Sequence, residues 1–173
     1  MQKKDNERMP VRKTVIRKLK RRDRDRIGAL VISSGKFNDV EIDIAMELVD
    51  EALAKEEKSG YMFAVLADEK DPASIHGYAC YGPVPLTQGT WDLYWIVIDR
   101  AAQKKGLGRR LLEHVERDVV KREGRMLLIE TSSQESYTPT VRFYERRGYR
   151  LEARVRNFYR TGDDKLIFRK ELV

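Results

Sequence analysis

Long apolar runs are missing from this sequence. No stretch approaches the roughly twenty residues needed to cross a bilayer, so no membrane-spanning helix is expected. Cysteine is nearly absent as well. A single Cys80 excludes an internal disulfide framework. One cysteine and two separated histidines, His76 and His114, give no ligand set for structural zinc, and no metal is expected. The first ten residues, MQKKDNERMP, are charged and lack the apolar segment of a secretory signal. Together these absences suit a reducing cytoplasm.

What is present is an ordinary globular composition: 41% hydrophobic and 36% charged over 173 residues, enough chain for one domain with a real core. Disorder is not expected beyond the first dozen residues. The net charge of +7 invites a nucleic-acid reading, but its distribution argues against one. Residues 1–26 hold twelve Lys or Arg against four Asp or Glu, which leaves the other 147 residues near −1. The excess therefore lies on a basic N-terminal tail (1–12) and the start of the domain (13–173). No zinc finger, repeat or aromatic RNA-binding motif supports nucleic acid as a partner.

Hydrophobic period and turn signals predict the elements. Residues 14–19 read as a strand, and 24–34 as a helix capped by Asp23 or Asp25 and ended by Ser33-Ser34-Gly35. Val40, Ile44, Leu48 and Ala52 set a second helix over 40–57. Strands follow at 61–67, 74–81 and 91–98, the last the most apolar and so central. Leu107, Leu111, Leu112, Val115 and Val119 line one face of a helix over 107–122, with Gly124 fitting its C-terminal cap. A buried strand at 126–131, a short helix at 139–147 closed by Gly148, and strands at 149–155 and 165–171 complete the chain. The last two flank a turn at Thr161-Gly162-Asp163-Asp164. This order predicts an α+β fold: a mostly antiparallel mixed sheet in which one strand–helix–strand crossover is parallel.

The most specific local signal is the turn Gln103-Lys104-Lys105-Gly106-Leu107-Gly108-Arg109-Arg110, between the central strand and an amphipathic helix. Glycine permits positive φ and close backbone approach. The first N–H groups of a helix have no internal partners, and the helix dipole favours an anion there. A pyrophosphate satisfies both, and four cations flank the turn. By itself the turn reads equally as a tight connection with surface lysines. Neither a P-loop nor a dinucleotide GxGxxG fingerprint is present.

Gln103–Gly108 follows the pattern Q/R-x-x-G-x-G/A, and Phe143-Tyr144-Glu145-Arg146-Arg147-Gly148-Tyr149 follows FYxxxGF/Y about forty residues later. In this pair of motifs, and from Val15 to Leu172, the sequence resembles the GCN5-related N-acetyltransferase (GNAT) family. The one small departure is Arg100, where that family often has proline. The resemblance implies acetyl-CoA as cosubstrate, lying in an opening between the fourth and fifth strands. The pantetheine would pair with backbone groups of Ile96, Val97 and Ile98. The pyrophosphate would lie on Gln103, Lys104, Lys105, Gly106, Leu107, Gly108 and Arg109. Tyr137 falls where many relatives carry an asparagine near the pantetheine. Tyr144 matches the tyrosine that serves the thiolate leaving group.

Direct attack of an amine on a thioester needs a proton acceptor, an oxyanion donor and a stabilised thiolate. Glu130, beside apolar Leu127–Ile129, is the first choice as acceptor because burial raises a carboxyl pKa. Asp92 and Tyr94, on one face of their strand by strict alternation, come next. Cys80 has no evident base and reads as core. Aromatic residues Phe37, Tyr81, Trp91, Tyr94, Phe158 and Tyr159, with these carboxylates, suit a small cationic amine. Arg154 or Arg156 could pair with the carboxylate of an amino acid. Residues 81–96, 129–133 and 158–165 resemble a GNAT subgroup linked to amino-acid acetylation, D-alanine included. A peptide N-terminus or protein lysine as acceptor, a non-catalytic acyl-CoA-binding module, and a homodimer all stay open.

Overall fold

In a computed structural model that describes residues 13–173, seven strands form one sheet and four α-helices cover parts of its two faces. The basic tail at 1–12 lies outside the described residues. The strands are β1 (Thr14–Arg17), β2 (Met62–Asp68), β3 (Ile75–Pro83), β4 (Thr90–Ile98), β5 (Met126–Ser132), β6 (Arg150–Arg160) and β7 (Asp163–Glu171). The helices are α1 (Arg24–Ser34), α2 (Asp39–Lys55), α3 (Leu107–Lys121) and α4 (Thr138–Glu145). The order across the sheet is β1-β2-β3-β4-β5-β7-β6, and the pair β4–β5 is parallel while the others are antiparallel. The expected element order and the single parallel crossover through α3 are both present. Among the described residues no helix is long and apolar enough to cross a membrane.

Two cores sandwich the sheet. On one face, Leu111, Leu112, Val115 and Val119 of α3 pack with Tyr144 of α4 onto Leu93, Leu127, Ile129 and Phe168. On the other, α1 and α2 bring Ile27, Leu30, Val31, Ala45 and Val49 onto Val65, Tyr78, Cys80 and Val97. Cys80 is fully buried, and burial pushes its thiol pKa up, which fits a small core residue. A polar network joins α3 to the end of α2: the Tyr81 hydroxyl donates to Asp118 (2.7 Å), and Arg122 donates both to the same carboxylate (2.9 Å) and to Glu57 (3.4 Å), which also takes Lys18 (3.2 Å).

Local chemistry explains where boundaries differ from expectation. Asp23 is not a side-chain cap for α1. It is buried, takes both Arg17 Nη atoms at 2.6 and 2.9 Å and accepts the Lys20 N–H at 2.8 Å. That turn draws the chain off the sheet, so β1 ends at Arg17 instead of residue 19. α2 begins one residue early because Asn38 and Glu41 form a reciprocal capping box, with bonds of 2.9 and 2.8 Å. The last hairpin is tighter than the sequence suggests. Arg160 pairs with Asp163 across the two residues Thr161-Gly162, so Asp163 and Asp164 belong to β7 and are buried. Asp163 accepts from Ser132 Oγ and Gln134 Nε2 at 2.5 and 2.7 Å, and Asp164 from the Asn157 N–H at 2.7 Å.

At the end of α3 the left-handed residue is Glu123 (φ 62°), not Gly124. Gly124 is required for another reason: a Cβ there would stand 2.3 Å from Val119 Cγ1 and 2.7 Å from the Trp91 ring. Gly124→Ala is therefore expected to destabilise the fold by about 1–3 kcal/mol through overpacking. Glu123→Gly, which relieves left-handed strain, should stabilise it by up to about 1 kcal/mol. Thermal unfolding of the two variants should move the midpoint in opposite directions.

Candidate active site

The register between β4 and β5 runs only from Thr90↔Met126 to Leu93↔Ile129. Beyond it the strands have separate partners. β4 continues to Ile98 on β3 alone, through Ala79↔Ile96, Tyr78↔Val97 and Gly77↔Ile98. β5 continues to Ser132 on β7 alone. Backbone groups of Ile96–Ile98 that face β5 therefore have no strand partner, which leaves a slot for an extended ligand. The divergence falls between the fourth and fifth strands. One acceptor near it is engaged already: Gln103 Nε2 donates to the Ile98 carbonyl at 3.2 Å and pins the strand end to the turn.

A bulge governs which side chains flank the slot. Cys80 faces Trp95 and Tyr81 faces Leu93, so Tyr94 is an extra residue in β4. The strict alternation expected for this strand fails there. Trp91 and Leu93 share the α3 core with Ile96 and Ile98, whereas Trp95 and Val97 lie in the α1/α2 core. Parity thus flips at Tyr94, and Trp95 falls on the face opposite Leu93, the face of Asp92. Tyr94 itself packs edge to face on Tyr61, with ring centroids 5.6 Å apart.

The turn after β4 has the features of an anion cradle. Gly106 takes φ 76° as the N-cap of α3, with no side-chain cap on the first helical N–H groups. Lys104 is also left-handed, at φ 61°. A depression of about 460 Å³ beside the turn is lined by Lys13, Thr14, Glu69, Lys105, Gly106 and Arg110, among others. The four cations expected there divide into two kinds. Arg110 is spent on Thr14, donating to its carbonyl at 2.6 Å, and Arg109 on Glu113 at 2.8 Å. Lys104 and Lys105 are exposed and make no hydrogen bond or ion pair among the described residues.

Tyr144 lies under the other wall. It is 4% exposed and packed among Phe143, Tyr149 and Phe168, and its hydroxyl makes no hydrogen bond among the described residues. Burial pushes its pKa up, so it stays protonated over the physiological range. Tyr137, expected near the cofactor, donates from its hydroxyl to the Lys36 carbonyl at 3.0 Å. It thereby links the start of α4 to the α1–α2 connection.

The acceptor side carries alternating signs. Glu130 is half exposed and ion-paired with Lys165 at 2.9 Å, and the Lys165 ammonium stands 3.8 Å from the centroid of Phe158. The pKa of the Asp92 carboxyl is raised, first by desolvation and then by the charge of Glu130. Burial raises the pKa of Tyr159, and the charges of Glu130, Asp163 and Glu41 add to the shift. Of the two arginines expected for a substrate carboxylate, Arg154 binds Asp164 through its Nε, and Arg156 lies near the same aspartate. Lys165 and Trp95 escaped the sequence reading. Lys165 sits next to two aspartates that looked like a turn, and the position of Trp95 depends on a bulge that no residue pattern announces. Among the described residues no cluster of His, Cys, Asp or Glu could hold a metal ion.

Comparison with known proteins gives a consistent picture. Residues 30–149 match the model of the acetyltransferase (GNAT) family. A protein of known structure from Desulfovibrio desulfuricans, described as an acetyltransferase of the GNAT family, is 44% identical with a TM-score of 0.89, covering 93% of this chain and 100% of its own. The fold is also that of the ribosomal-protein-S18-alanine N-acetyltransferase of Escherichia coli (22% identity, TM-score 0.69, 92% and 94% covered). An aminoglycoside 6'-N-acetyltransferase complexed with coenzyme A shares it too (17% identity, TM-score 0.71, 92% and 97% covered). No curated protein matches the chain.

Proposed function

The chain belongs to the GNAT family of acetyl-CoA-dependent N-acetyltransferases, and on that premise we propose that it acetylates the primary amine of a small molecule such as an amino acid or its derivative. The observation that carries the donor half is the divergence of β4 from β5 directly ahead of the Gly106 turn. Unpaired backbone at Ile96–Ile98 fits the amides of a pantetheine arm. Lys104, Lys105 and the first N–H groups of α3 fit a pyrophosphate. When bound, acetyl-CoA supplies an activated thioester carbonyl.

The residues of this chain then divide the proton work. Glu130 draws the ammonium of the acceptor into the cleft. Asp92, whose carboxyl pKa is pushed up by burial and by the charge of Glu130, takes the proton, directly or through water. A backbone N–H of β4 donates to the oxygen that becomes negative during attack. Tyr144 donates to the departing sulfur as the carbon–sulfur bond breaks. Because its pKa is raised, it remains a donor at every working pH.

Thiol release from acetyl-CoA with a panel of amines, including both enantiomers of several amino acids, tests the reaction. Acetyl-CoA binding without release on any amine would indicate a binding module instead. Tyr144→Phe should lower kcat by about a hundredfold or more with little change in acetyl-CoA affinity. The double variant Lys104→Ala, Lys105→Ala should weaken acetyl-CoA binding about tenfold by calorimetry, with a smaller loss at high salt. The charge of Glu130 raises the pKa of Asp92, so Glu130→Gln lowers it. The acid limb of the kcat profile should move to lower pH in that variant, and Asp92→Asn should remove the limb.

A further inference from the structure

The buried indole Nε1–H of Trp95 has no hydrogen-bond partner among the described residues. A buried donor without an acceptor is costly to keep. Nothing in the packing of Trp95 demands an N–H. Its ring meets Phe37 edge to face at 5.0 Å and lies in the α1/α2 core, contacts that a phenylalanine could make as well. It sits on the Asp92 face of β4, one residue past the bulge and beside the slot.

Phe37 belongs to a strap, residues 35–38, that spans from one side of the slot to the other. On the β4 side, Arg100 donates to the Ser34 carbonyl at 3.1 Å. On the β5 side, Tyr137 donates to the Lys36 carbonyl at 3.0 Å and Lys36 reaches Thr140 Oγ1 at 3.4 Å. Gly35, at φ 64°, is the left-handed joint where α1 turns into the strap. Phe37 therefore covers the indole from a segment anchored at both ends and jointed at one.

The charges nearby select what the indole could receive. Glu41, Asp92, Glu130 and Asp163 bring negative charge to this side. Of the nearby cations, Lys165 is paired with Glu130, Arg154 with Asp164, and Arg156 lies within the field of Asp164. An ammonium is welcome there, a free carboxylate is not, and an uncharged carbonyl oxygen is the acceptor that an indole N–H can pair without adding charge.

We propose that Trp95 is a specificity-determining residue whose indole N–H, uncovered when Phe37 swings aside, donates to an uncharged carbonyl oxygen next to the reacting amine. The acceptor class is then an α-amino amide: an amino-acid amide or the first residue of a peptide, ahead of a free amino acid or a plain alkylamine. The inference rests on the transferase reading above and narrows its acceptor.

Two measurements test it. In steady-state kinetics with alaninamide, dialanine amide, free alanine and isopropylamine, the wild-type protein should prefer the two amides. Trp95→Phe should raise KM for the amides about tenfold, the loss of one hydrogen bond to a buried donor. It should leave kcat, the acetyl-CoA affinity and the use of isopropylamine within about twofold. The two amides separate a small-molecule acceptor from a peptide. A wild-type preference for isopropylamine, or an unchanged amide preference in Trp95→Phe, would overturn the proposal. The second measurement needs no variant. The chain has two tryptophans, so the CoA-loaded protein labelled with 15N gives two indole resonances. Alaninamide should shift one of them and isopropylamine neither; no shift with alaninamide would overturn the proposal even if a variant failed to fold. Failure of the transferase reading itself would look different, as no thiol release from any amine.

Discussion

Everything distinctive about this fold follows from hydrogen bonds that β4 and β5 do not make. Four residue pairs join the strands, and then each strand turns to its other neighbour. A sheet that stayed zipped would be a better sheet and would have no room for a ligand. Both strands can leave each other because β3 holds the outer edge of β4 on to Ile98 and β7 holds that of β5 on to Ser132. The α3 core then keeps the bottom of the opening closed with Leu93, Leu127 and Ile129.

The opening organises two unlike halves. Toward α3 the surface is basic and backbone-rich, suited to phosphates. Toward β7 it is acidic and aromatic, suited to an amine. Lysines left free at one end and carboxylates at the other give the cleft a polarity that would orient a ligand pair by charge before any close contact forms. Several arginines look available from composition alone but serve the frame. Arg17 holds buried Asp23, Arg110 fastens α3 to β1, and Arg154 fastens β6 to Asp164.

Much of this was legible in the sequence because it depends on local rules. The period of α3, the glycine ahead of it and the run Phe143–Tyr149 each carry their own signal, and together they point to the family and to the proposed donor half of the site. What was not legible depends on partners distant in the chain. Asp163-Asp164 reads as turn chemistry until Ser132, Gln134 and Asn157 supply the bonds that let two aspartates be buried in a strand. Gly124 reads as a cap until the Trp91 ring is seen against it. Asp92 carries a raised pKa because it is desolvated and lies near Glu130, which the residue pattern of β4 alone does not show. Trp95 changes sides because one residue too many sits in β4.

That extra residue has a consequence for how such a chain can change over time. Substituting Tyr94 alters one side chain, but deleting it would turn Trp95 through Ile98 over together, sending the indole into the α3 core and Ile96 toward the strap. The inner strand can therefore vary in composition far more freely than in length. A family built on it can diversify its acceptors by replacing side chains, while insertions and deletions are confined to the connections beyond the strand ends.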